Sequence, residues 1–247
     1  MTTENFERNR QEASVFQLGY TDCSPLLEAS LCAAAEEMLP PWRAEKVRAA
    51  RHLQDKAQAA GVGLLLCHML LQAGIERYAL NEYTLQRHGK PELIYGTVPT
   101  GDNSGGKLYF NLSHSGRYAA CIVGRASCGV DIEQVREGRA YTRIAERFFC
   151  DNEKAYLNSE SGSRAFYKIW TMKESYMKYT GRGFALPPSR VYSDLKRCRV
   201  WADDLPEASF RWFEQENMIL CTCLHEKAEV QGPERYDVRK LLRGECN

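Results

Sequence analysis

Asp131 and Glu133 stand two residues apart in the otherwise apolar run Gly129-Val130-Asp131-Ile132-Glu133. Strand side chains two apart point to one face, so the spacing puts both carboxylates on the same side. Glu174 and Lys178 stand four apart in the run Trp170-Thr171-Met172-Lys173-Glu174-Ser175-Tyr176-Met177-Lys178. Helical residues four apart also share a face. Three carboxylates with an ammonium one turn on fit a divalent cation holding a phosphate-bearing substrate. Magnesium takes a few carboxylates and leaves its other positions to water and phosphate oxygens.

Each piece alone has a plainer reading. Asp131 and Glu133 equally suit a half-exposed strand with its polar face outward. Glu174 and Lys178 equally suit a helix-surface ion pair. The run Asn111-Leu112-Ser113-His114-Ser115 follows a strand, where its hydroxyls and imidazole either meet phosphate oxygens or form a solvated turn. Lys46, Arg48, Arg51, His52 and Lys56 make one basic helix side, either solvated or turned to phosphate.

The elements that must position these groups are legible in outline. Residues 45–71 carry one long helical signal, with Val47, Ala50, Leu53, Ala57 and Ala60 at helical spacing before a nearly all-apolar stretch. Short strands are expected at 83–86 and 92–95, around a turn at Arg87-His88-Gly89-Lys90-Pro91. Residues 96–107, rich in Gly and turn-formers, read as a loop or domain boundary. Strands are expected at 108–112, 118–123 and 129–133, and helices at 140–158 and 164–180. Residues 191–224 are strand-like, with a hairpin turn at 214–217, and the tail from Glu226 is polar and hard to place. Strand groups with helices in two halves predict an α+β (mixed α/β) fold, divided into residues 1–105 and 106–247.

Composition narrows the function classes. The chain has 247 residues and 44% hydrophobic content, enough for one large domain or two small ones. Its 33 basic and 32 acidic residues leave a net charge of +1, which gives no bulk case for nucleic-acid or membrane binding. Ten cysteines include no Cys-x-x-Cys pair, and the N-terminal stretch is polar, so a reduced, cytoplasmic protein is expected. The longest apolar run, 61–71, is too short to span a bilayer.

Taken jointly, these pieces resemble the 4′-phosphopantetheinyl transferase superfamily, in its larger two-half, Sfp-type branch. The resemblance is carried by His88-Gly89-Lys90-Pro91, the Asn111 to Ser115 run, Gly129-Val130-Asp131-Ile132-Glu133, Arg147-Phe148-Phe149 with Glu153, and residues 166–178 followed by Gly181-Arg182-Gly183-Phe184. It covers 88–184 well, the first 85 residues in general pattern only, and the last 40 hardly at all.

The resemblance implies two pseudo-symmetric halves, each a small antiparallel sheet with a long helix, and coenzyme A in the cleft between them. It implies Asp131, Glu133 and Glu174 as ligands of Mg²⁺ on the pyrophosphate, with Glu174 also the base for the attacking serine of an apo acyl or peptidyl carrier protein. Lys178 would stabilise phosphate charge, with Lys173 a weaker candidate for the same work. Ser113 and His114 would meet coenzyme phosphates, and Lys90 and Pro91 would line the adenine side. The family's basic residue on the first long helix has Ala59 in its place here, with Arg48, Arg51 or His52 as substitutes. A monomer making its own cleft is implied. A non-catalytic coenzyme A or nucleotide-binding module and a magnesium-dependent phosphohydrolase are the competing functions.

Overall fold

A computed structural model describes residues 14–94, 97–98, 106–137, 141–160, 162–215 and 217–245. The chain begins with β1 (Val15–Asp22), then α1 (Ala29–Met38), α2 (Pro41–Ala49) and α3 (Leu53–Gln72). Next come β2 (Tyr83–Leu85), β3 (Pro91–Leu93), β4 (Thr97–Val98), β5 (Gly106–Lys107), β6 (Tyr109–Ser115), β7 (Tyr118–Gly124) and β8 (Gly129–Gln134). Helices α4 (Thr142–Phe148), α5 (Asp151–Ser159) and α6 (Ser163–Tyr179) follow. The chain closes with β9 (Tyr192–Asp194), β10 (Arg199–Trp201), β11 (Ala208–Gln215), β12 (Met218–Leu224), β13 (Glu229–Tyr236) and α7 (Val238–Arg243).

The architecture is α+β, as expected. One sheet runs β13-β1-β7-β6 and another β8-β12-β11-β10-β9. All pairings are antiparallel except that of β1 with β13. The 20-residue α3 covers the first sheet and the 17-residue α6 the second. Period-two alternation sorts the strand residues among three apolar clusters. Cys121 and Val123 of β7 face α3, while Ala120 and Ile122 face the second sheet. Val130 and Ile132 of β8 meet Phe16, Leu18 and Ile122 between the sheets. On β12, Ile219 and Cys221 pack under α6. Their register partners on β8 are Glu133 and Asp131, so both carboxylates lie on the face that α6 covers.

Several expectations are corrected. The helical signal at 45–71 resolves into α2 and α3, with Ala50 and His52 extended between them. Both helices turn apolar residues to one core, so the spacing runs on through the break, yet Leu53 at the start of α3 is exposed. Residues 140–158 also split, because Cys150 caps α5 through a capping box with Glu153. Ser113, His114 and Ser115 lie inside β6 rather than in a turn after it; the turn is at Gly116, φ +57°. The tail contributes β13 and α7.

The boundary expected at 105/106, and most of the loop expected at 96–107, lie outside the described residues. By sheet membership, β6, β7 and β13 go with β1. Among the described residues no helix is long and apolar enough to cross a membrane, and the cysteines there are free thiols.

Candidate active site

Gly129 opens the site by having no side chain. A Cβ there would lie 1.9 Å from the Ser175 carbonyl oxygen and 2.6 Å from the Tyr179 nitrogen, both backbone atoms of α6. Only glycine lets the helix backbone come this close to β8. The contact sets Glu174 and Lys178 over the carboxylate face of the strand. The Lys178 ammonium bonds Asp131 Oδ1 at 2.6 Å, the Ser113 hydroxyl at 2.9 Å and the Val130 carbonyl at 3.2 Å. Its link to the helix is therefore not the surface pair that four-residue spacing alone suggests.

The carboxylates crowd one another. Asp131 is 2% exposed, and its Oδ2 is buried without a hydrogen-bond partner. Burial, and next the Asp131 charge, push the Glu174 carboxyl up to about 8; Glu133 adds to the shift and Lys178 opposes it. Ser113 donates to Asp131 Oδ1 at 2.7 Å, and Ser115 donates to Glu133 Oε2. As arranged, no three His, Cys, Asp or Glu side chains among the described residues form a ready-made metal cage. The donor set still fits a hard divalent cation. It is all oxygen, one oxygen is orphaned, and burial together with the neighbouring carboxylates disfavours ionisation of the third.

Lys178 joins this centre to a cleft of about 560 Å³. Trp42, Arg43 and Lys46 of α2 line one wall. The β2–β3 hairpin supplies Tyr83, Lys90 and Pro91, and β6 supplies His114. Arg43 is 8% exposed, stands 5.5 Å from the centroid of the Trp42 ring and donates to the Ala59 carbonyl at 3.0 Å. Its Nε is buried and makes no hydrogen bond. Gly63 of α3 leaves room for Leu39, since a Cβ there would come 2.8 Å from Leu39 Cδ2, and only an ordinary 3.4 Å from Arg43 Nε. Burial, then the Lys178 and Arg43 charges, hold His114 below the usual imidazole range, so it meets a ligand neutral.

The expected site residues thus fall into groups. Asp131, Glu133, Glu174, Lys178 and Ser113 come together, and His114, Lys90 and Pro91 line the adjoining cleft. The Lys90 ammonium is committed to the Cys128 and Lys178 carbonyls at 2.9 and 3.0 Å, so it ties the hairpin to β8 and α6. Arg48 is exposed and paired with Glu36, and neither it nor Arg51 lines the cleft. Arg48 lies five residues after Arg43 on α2 and so on another side of that helix, and Arg51 lies in the break before α3.

Lys173 is a correction. It is fully buried, 2.8 Å from Glu153, and donates to the Pro188 and Val191 carbonyls, on the far side of α6 from the cleft. Glu153 also accepts from the Cys150 nitrogen and the Ser193 hydroxyl. Such a pair holds the fold, because removing one partner strands a buried charge. Lys173→Met is expected to cost about 3–5 kcal/mol of stability. Adding Glu153→Gln should recover part of it, as urea melts of both variants will show. A single variant as stable as the wild type would refute the structural role.

Arg43 was missed. Its signal was Pro40-Pro41, which starts a helix at Pro41 and places Arg43 and Lys46 three apart on one face.

The description "4'-phosphopantetheinyl transferase superfamily" belongs to the family model that matches residues 127–238, the stretch from β8 to β13. A "4'-phosphopantetheinyl transferase" of Bacillus subtilis is 32% identical over 230 residues, covering 87% of this chain and 97% of that one. This chain belongs to the 4′-phosphopantetheinyl transferase superfamily. The transferase is similar to two further members. The "4'-phosphopantetheinyl transferase Sfp" of Bacillus subtilis (strain 168) is 31% identical over 157 residues, 60% of this chain and 63% of that one. The "4'-phosphopantetheinyl transferase gsp" of Aneurinibacillus migulanus is 36% identical over 96 residues, 38% and 40%. The transferase is thus an Sfp-type enzyme, and the carboxylate centre lies in the part the family model covers.

Proposed function

We propose that the enzyme moves 4′-phosphopantetheine from coenzyme A to a serine of an apo acyl or peptidyl carrier protein and releases 3′,5′-ADP. The observation that carries this reading is the junction at Lys178: one ammonium belongs both to a basic, aromatic-lined cleft and to a centre of three carboxylates. A nucleotide with several phosphates fits the first, and its reacting pyrophosphate the second.

Arg43, Lys46 and His114, which line the cleft, receive the nucleotide's phosphates. Trp42, Tyr83 and Pro91 offer flat apolar surface for the base. Asp131, Glu133 and Glu174 are the residues that hold Mg²⁺. When bound, the ion neutralises charge on the pyrophosphate. The serine oxygen forms a bond to the phosphorus that bears pantetheine, and the bond from that phosphorus to the bridging oxygen breaks. That oxygen keeps the electron pair and leaves as part of 3′,5′-ADP. The serine proton goes to a Glu174 carboxylate oxygen, directly or through water. Lys178 stabilises the charge on the leaving oxygens. The cleft is built within one chain, which supports a monomer as the working unit.

The test is mass spectrometry of apo carrier proteins incubated with the enzyme, coenzyme A and Mg²⁺. A carrier serine gaining phosphopantetheine, with 3′,5′-ADP in equal amount, is the expected result. Release of 3′,5′-ADP with no carrier modified would mean hydrolysis, and binding without either product would mean a binding module.

Lys178→Gln is expected to lower kcat about a hundredfold or more, since an aligned charged donor is lost from the reacting phosphate. Initial rates at saturating coenzyme A and Mg²⁺ give the answer, and wild-type turnover would return Lys178 to a structural role.

Glu174 also predicts a pH dependence of stability. Its carboxyl is raised in the folded chain, so between about pH 4.5 and about pH 8 the folded state keeps a proton that the unfolded state has lost. Its contribution therefore falls as pH rises through that window and levels off above it. In EDTA, the Tm of the wild type should drop relative to Glu174→Gln from the acid end to the alkaline end. A constant difference between the two would show that Glu174 titrates normally.

A further inference from the structure

β6 and β8 are edge strands of different sheets, and no backbone ladder joins them. Side chains join them instead. Asn111, Ser113 and Ser115 sit two apart on β6, on one face. Asn111 Oδ1 accepts from the Val130 nitrogen at 2.8 Å, Ser113 donates to Asp131, and Ser115 donates to Glu133. The three contacts follow one another along β8 in the same order as along β6.

We infer that Ser115 is a positioning residue for Glu133, fixing the direction in which the carboxylate's other oxygen meets the divalent cation. The inference rests on the reading of Glu133 as a ligand of that cation. A hydroxyl has one hydrogen to give. The Gln134 nitrogen donates to Ser115 Oγ at 3.3 Å, which fills an acceptor position and leaves the hydrogen for Glu133. With Oε2 held, the other oxygen of Glu133 has its direction set.

The hydroxyl is itself held in place from both sides. Gln54 and Gln58 of α3 both donate to the Gly116 carbonyl, at 2.5 and 2.6 Å. Gln134 accepts from the Arg117 nitrogen at 3.1 Å. A Cβ at Gly116 would come 1.7 Å from Gln134 Oε1, so the turn after Ser115 closes against β8 only as glycine. The chain thus spends two glutamines of α3, one of β8 and a glycine on the end of β6. Outer hydrogen bonds of this kind fix the orientation of a metal ligand, and their loss weakens metal binding.

The experiment is Mn²⁺ titration of the enzyme saturated with coenzyme A, with free Mn²⁺ read by its paramagnetic resonance signal. Ser115→Ala should weaken Mn²⁺ about tenfold, and Ser115→Thr, which keeps the hydroxyl, should restore most of the affinity. Glu133→Gln should weaken it in its own right. Undiminished binding by Ser115→Ala beside a weakened Glu133→Gln overturns the positioning role and leaves the ligand reading standing. Undiminished binding by Glu133→Gln overturns the ligand reading, and the positioning role with it. Failure of Ser115→Thr to recover affinity would show that shape rather than the hydroxyl matters, and overturns the inference. Thermal melts accompany each variant. If Ser115→Ala melts markedly lower, Ser115→Cys, near in shape but a weak donor, carries the same comparison.

Discussion

Asp131→Asn is expected to lower the rate of phosphopantetheine transfer by about two to three orders of magnitude while leaving the fold intact. Asparagine keeps the shape of aspartate and an oxygen for Ser113 and Lys178, both of which bond Oδ1. What it removes is the charge. That charge is 2% exposed, has one oxygen without a hydrogen-bond partner, and stands beside two further carboxylates. A purely structural aspartate would be completed by its neighbours; this one is left half-paired, which costs stability unless a ligand completes it. The variant should therefore still fold in EDTA and yet fail to modify an apo carrier. Single-turnover transfer beside a thermal melt reads both. Near-normal transfer by a folded Asp131→Asn would remove this residue from the reacting centre.

The second large effect is expected where no functional group exists. Gly129→Ala adds one carbon against two backbone atoms of α6 at 1.9 and 2.6 Å. Neither can move without the helix. Overpacking of this sort costs roughly 1–3 kcal/mol or more, and that part is visible in a denaturant melt. The greater effect should be on turnover. α6 carries Glu174 and Lys178, and a displacement of about 1 Å in a reacting geometry can cost about a hundredfold in rate. Coenzyme A binding, which we assign to groups of α2, the β2–β3 hairpin and β6, should suffer much less. A folded Gly129→Ala with wild-type kcat would show that the approach of helix to strand does not set the site.

The two variants locate the information differently. The aspartate is legible in the sequence, because a charged pair in an apolar strand has few explanations and strand alternation fixes its face. The glycine before it is legible as part of a motif, but its reason is not, since the atoms it makes way for lie 46 and 50 positions along the chain. The same divide separates Lys178 from Lys173. On one helix, five residues apart, both read as candidates for phosphate. Only the burial of Glu153 under α6 shows that Lys173 already has its partner.

The sequence by itself determined the kinds of elements, the face of β8 that carries carboxylates, the placing of Glu174 and Lys178 on one face of α6, and the family. Each is a local pattern: a period of two, a period of 3.6, or a run of fixed residues. The tertiary structure alone decided that α2 and α3 are separate helices, that Arg43 rather than Arg48 or Arg51 enters the cleft, that Ser113 and Ser115 grip the carboxylates of β8, and that the tail returns as β13 beside β1. The physical reason is common to all four. Periodicity reports which side of an element is apolar, and two helices on one core look alike to it whether or not the chain bends between them. What a polar side chain does depends on which neighbour reaches it first, and here those neighbours come from elements distant in the chain.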